Sequence, residues 1–121
     1  MSQDNGHLSI GDILALDDLP VHEVPVPQWN TTVRLRSLRA DERSELEAVV
    51  SKGTGPKEIK EFRRRLLLLC MVQGDGSPML DGESSKALMQ KSSAAIEVII
   101  DRALEINGIT AKDREQLVKN S

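Results

Sequence analysis

One cysteine, two histidines, one tryptophan, one phenylalanine and no tyrosine occur among 121 residues. A single thiol makes no internal disulfide, and with two histidines it falls short of an ordinary structural zinc site. With aromatics at 2%, any core must be aliphatic, built from Leu, Ile, Val, Ala and Met. No apolar run reaches the ~18 residues of a membrane span; the longest covers Leu66 to Val72. The N-terminus has no basic segment followed by an apolar one, so no secretory signal is expected. With disulfides also absent, a reducing cytoplasm is the expected setting.

Bases are missing where acids gather. The first 32 residues hold five acids and no Lys or Arg; residues 33–65 hold ten bases against six acids, and residues 66–121 six against eight. The net charge is −3 and the pI is near 5.4, which argues against a dedicated nucleic-acid binder. The asymmetry allows two readings, segments that neutralise one another within the fold or a polarised partner surface.

At 39% hydrophobic and 29% charged residues, what is present suits one globular domain. Residues 1–8 show no periodicity and are read as a disordered tail, with a single domain over 9–121. Ser9 with Asp12 forms a weak capping box for a short helix through Ile10, Ile13 and Leu14, ending before Pro20. Val24 and Val26, then Val33 and Leu35, alternate with polar residues around Gln28-Trp29-Asn30-Thr31. This predicts a β-hairpin over about 21–38. Pro25 and Pro27 share one parity and make its first strand an edge.

Helices follow. Leu46, Val49 and Val50 mark one over about 40–51, with Asp41 and Glu42 in its first turn. Ile59, Phe62, Leu66, Leu69 and Val72 mark a second, apolar all round in its last two turns and hence central. Gly74-Asp75-Gly76-Ser77-Pro78 is a turn cluster. Asp81 caps a short helix over about 82–90. Ser92 or Ser93 caps the next, striped with Ile96, Ile99, Ile100, Ala103 and Leu104 and stopped by Asn107-Gly108. Thr110 with Asp113 opens a last short helix containing Leu117. The fold class is α+β, mostly α: a hairpin followed by a bundle of four to five helices.

Little in the chain suggests chemistry. Cys70 sits among leucines and reads as a core residue rather than a nucleophile. His7 and His22 lack ligands at metal spacing. Asp75 to Lys86 lacks the alternating oxygens of a calcium loop. Gly53-Thr54-Gly55-Pro56 lacks the Lys-Ser/Thr of a phosphate loop. Arg63, Arg64 and Arg65 span about 300° of a helix and form no flat stripe, and Glu61 can pair with Arg65 at i, i+4. The corner from Ala103 to Thr110 resembles a helix-turn-helix, but the helix after it carries only a small positive excess. Neither an enzyme nor a cofactor or metal site is expected. Trp29 at the hairpin tip is either a binding anchor or a lid on the core.

Taken together, Asp12-Ile13-Leu14-Ala15, Asp17-Asp18-Leu19-Pro20, Pro25-Val26-Pro27-Gln28-Trp29, Val33-Arg34-Leu35-Arg36-Ser37-Leu38, Phe62-Arg63-Arg64-Arg65-Leu66, Leu69-Cys70-Met71-Val72 and Asn107-Gly108-Ile109-Thr110 form a pattern that resembles the tail assembly chaperones of long-tailed bacteriophages and prophages, from about residue 10 onward. The resemblance implies a non-enzymatic factor in the host bacterial cytoplasm, absent from the mature virion. It would bind the tape measure protein and keep it soluble while tail tube subunits polymerise around it. The tail tube protein and a second copy of the chain are further partners in this reading; nucleic acid and membrane are not. The surface candidates are Trp29, the arginines Arg63, Arg64 and Arg65, and the apolar stripe of Ile96 and Ile100. The same stripe, like that of Leu66 to Val72, is read first as domain core and only second as a contact face. The competing reading is a small DNA-associated regulator using the basic helix or the last two helices.

Overall fold

The computed structural model describes residues 3–4 and 6–109. Two-residue strands β1 (Gln3–Asp4) and β2 (His7–Leu8) pair antiparallel, then come α1 (Ile10–Leu14), β3 (Val21–Val26), a 3-10 turn (Pro27–Trp29) and β4 (Thr31–Arg36). They are followed by α2 (Ala40–Ser51), α3 (Pro56–Cys70), β5 (Met71–Val72), α4 (Gly82–Leu88) and α5 (Ser93–Ile106). The architecture is α+β and mostly α, as the sequence predicts. The tail is corrected in part, because residues 3–4 and 7–8 form a small hairpin. The expected last helix lies outside the described residues.

The hairpin of β3 and β4 has Val24 opposite Val33, so the alternating valines and Leu35 share the buried face. Asn30 closes the connection at φ 51°, a left-handed conformation that Asn tolerates well. The sheet order is β3-β4-β5, which leaves β3 on the edge as Pro25 requires. Pro27 is corrected: it opens the 3-10 turn rather than continuing the strand, where its fixed φ is already suitable.

The larger correction concerns α3. Helical periodicity runs on to Val72, yet the helix stops at Cys70 and Met71 turns extended (φ −74°, ψ 125°). Met71 then pairs with Leu35, and Val72 with Arg34. The far edge of β4 gains its ladder this way, and both side chains stay buried. A buried strand edge without partners costs more than the last helical turn provides. The turn cluster after it closes as read, with Gln73 N–H on Ser77 O at 2.8 Å and Gly76 N–H on Gln73 O at 2.9 Å.

The core is aliphatic. Leu66, Leu67 and Cys70 of α3 meet Ile96, Ile99, Ile100, Ala103 and Leu104 of α5, with Leu46 of α2 and the inner face of the sheet. The helix α3 packs against α2, α4 and α5, while α5 also packs against β3, β4 and the 3-10 turn. A Schellman motif ends α5, with Ile109 N–H on Leu104 O at 2.8 Å and Gly108 N–H on Glu105 O at 3.0 Å. Gly108 takes φ 70° there, as Asn107-Gly108 predicts.

Candidate partner-binding surface

The three consecutive arginines are used inside the chain. Arg63 pairs with Glu97 of α5. Arg64 pairs with Glu61 and donates from Nη1 to Oγ of Ser85 on α4 at 2.8 Å. Arg65 pairs with the same Glu61 at 2.8 Å, the i, i+4 contact expected. Hydrogen bonds from Arg64, then Arg65, hold the Glu61 carboxyl down to about 2. Arg63 and Arg64 therefore tie α3 to α5 and α4, and the three guanidiniums share two carboxylates with one positive charge in excess, which leaves little of a phosphate-binding patch.

Ile96 and Ile100 lie in the core at 3% and 1% exposure. That corrects their candidacy as contact residues, because a partner reaches them only if the layers open. The same burial covers most of Leu66 to Val72. Trp29 is half-buried and packs against the core from the 3-10 turn. Cys70 is fully buried, and burial pushes its thiol up to about 12. It is a packing residue without nucleophilic character. No group of His, Cys, Asp or Glu among the described residues could hold a metal ion. No described helix is long and apolar enough to cross a membrane.

Exposed apolar surface gathers in the N-terminal arm. The helix α1 buries no residue, yet Ile10, Ile13, Leu14 and then Leu16 are large aliphatics at 71%, 48%, 78% and 52% exposure. Leu8 and Val21 at either end are also exposed. The capping box read from the sequence holds the helix: Asp12 N–H donates to Ser9 Oγ and Ser9 N–H to Asp12 Oδ2, both at 3.1 Å. Within the arm α1 packs against β2, and the arm joins the body at Pro20, whose carbonyl accepts the Ser37 N–H at 3.2 Å. Asp17 and Asp18 follow on the surface. The sequence held this signal in its acidic first quarter, which lacks Lys and Arg and sets apolar residues at helical spacing. Nothing local told that the body would leave those side chains uncovered.

An open groove of about 440 Å³ lies between α2 and α3, lined by Val49, Lys52, Lys57, Glu58, Glu61 and Arg65. Its walls are charged, and Val49 is its one apolar lining residue.

A comparison of folds gives this architecture a counterpart. The chain shares the fold of the bacteriophage HK97 tail assembly chaperone. The match has a TM-score of 0.58 at 15% identity and covers 75% of this chain and 84% of the other. No protein-family model and no curated protein sequence matches the chain. The likeness thus lies in the arrangement of the backbone rather than in the sequence. At this identity few contacts in the two proteins involve the same side chains, so the surface residues must be read from this chain itself.

Proposed function

We propose that this protein is a tail assembly chaperone of a long-tailed phage or prophage, acting without catalysis by holding the tape measure protein in solution before tube polymerisation. The observation that carries the reading is the shared fold with the HK97 chaperone across three-quarters of the chain. The composition agrees with it. Holding a long helical chain needs apolar contact without directed chemistry, and the described residues present exposed aliphatics but no assembled nucleophile and base. The bacterial cytoplasm is the compartment this role requires.

The test is co-expression with the tape measure protein from the same genome, followed by light scattering on any complex. A tape measure protein that is insoluble alone and soluble in a complex of defined mass is the expected result. A tape measure protein that stays insoluble beside abundant folded chaperone overturns the proposal. Binding to a DNA duplex that falls steeply with salt would instead favour the regulator.

A further inference from the structure

We propose that the N-terminal arm, Leu8 to Val21, is a capture segment for basic amphipathic helices. The inference rests on the chaperone reading only for where such helices come from. Ile10, Ile13 and Leu14 fall at i, i+3 and i+4, so they stand on one face of α1, and that face is solvent-exposed. A five-residue helix is far below the length that is stable alone. Its Ser9–Asp12 box pre-forms it and lowers the ordering cost that docking must meet.

Charge selects the occupant. The arm carries Asp12, Asp17 and Asp18 and no Lys or Arg, while Glu23 just after it pairs with Arg34 of β4. Asp12 is held in the cap, while Asp17 and Asp18 are exposed in the segment that follows α1. DNA and anionic lipid surfaces carry the same sign and are repelled. A second copy offers the groove between α2 and α3, where Lys52 and Lys57 supply positive charge. Glu58 and Glu61 stand in the same walls, and Val49 alone would meet four aliphatic side chains. A helix with a leucine-like stripe flanked by Lys or Arg satisfies both the apolar face and the acids.

The full chain is titrated with a labelled Leu/Lys amphipathic peptide of about 18 residues, long enough to be helical when bound, and with its Leu/Glu counterpart. Expected is saturable binding of the Leu/Lys peptide only, weakened at least about tenfold by Ile10→Ser with Leu14→Ser. Asp17→Asn with Asp18→Asn should slow association and flatten its salt dependence. Those four side chains are exposed, so unchanged circular dichroism and melting certify the fold. Equal binding by the wild type and the serine variant overturns the inference. So does a scattering mass that drops from a multiple to the monomer on Ile10→Ser with Leu14→Ser, since a second copy then occupies the arm. If the serine variant still solubilises the tape measure protein as the wild type does, the arm inference fails and the chaperone reading stands. If the wild type fails there, the chaperone reading falls while the peptide titration still decides the arm.

Discussion

Arg36 of β4 and Glu42 of α2 meet in a two-pronged ion pair, Nη1 to Oε1 at 2.8 Å and Nη2 to Oε2 at 2.7 Å. The Glu42 side chain is buried at 7% exposure and that of Arg36 mostly so at 15%. Oε1 of Glu42 also accepts from the Arg39 backbone N–H at 2.9 Å, so one carboxylate caps α2 and clamps it to the sheet.

Removing one partner strands the other in a dry site. Glu42→Gln is expected to cost about 3 kcal/mol, the lower end for breaking a buried pair. Arg36→Met with Glu42→Leu should cost much less, because no charge is left behind; the lost cap accounts for about 1 kcal/mol. Urea titrations of the three chains measure both. A single substitution no worse than the double would contradict the pairing.

Acid should loosen the fold in a definite window. Hydrogen bonds from Arg36 hold the Glu42 carboxyl below its ordinary 4.5, and those from Arg64 and Arg65 hold Glu61 down to about 2. As pH falls the unfolded chain takes up these protons first. The stabilisation is therefore complete above about pH 4.5 and is lost towards about 2. Glu61 is partly exposed, so solvent screens its share. Denaturation midpoints across this range should fall with pH, and less steeply for Glu61→Gln.

Cys70 should be silent in the native chain. Its full burial and raised thiol predict that maleimide labelling at mild alkaline pH waits for opening and becomes rapid above the denaturant midpoint. Labelling of native protein at the rate of a free thiol would show that α3 does not seal its C-terminal end.

The end of α5 ties distant segments together. Asn107 accepts the Leu38 N–H at Oδ1 and donates from Nδ2 to Ala103 O, both at 2.8 Å. Its carbonyl accepts from Arg43 at 2.8 Å. Asn107→Ala leaves the Leu38 N–H without its acceptor and should cost about 1–3 kcal/mol. Gly108→Ala should cost about 1–2 kcal/mol for its left-handed backbone. Thermal melts of the two variants rank these effects.

Trp29 is half-buried against the core, so Trp29→Ala should cost about 2 kcal/mol, less than a fully buried tryptophan. As the sole tryptophan it also reports unfolding by a red shift of its emission. Unchanged stability in the variant would free this ring for a partner.

Local chemistry made much of the fold legible. Ser9 with Asp12, Asp81, and Asn107-Gly108 mark helix ends through hydrogen bonds made within a few residues. The period-two valines of the hairpin and the stripe from Ile96 to Leu104 name the core because burial follows periodicity. These features depend on neighbours in the chain, and the sequence by itself determined them.

Contacts between distant segments decided the rest. Met71 and Val72 continue a helical pattern but become a strand, because β4 would otherwise bury an unpaired edge. Arg63 pairs with Glu97, 34 positions away, and Arg64 donates to Ser85, 21 positions away, while Glu61 takes the charge of Arg64, so a basic run in sequence is no basic patch in space. Ile96 and Ile10 are equally apolar residues, at 3% and 71% exposure. Only the tertiary structure sorted them, since burial depends on which faces meet once the layers pack and on which segment is left over.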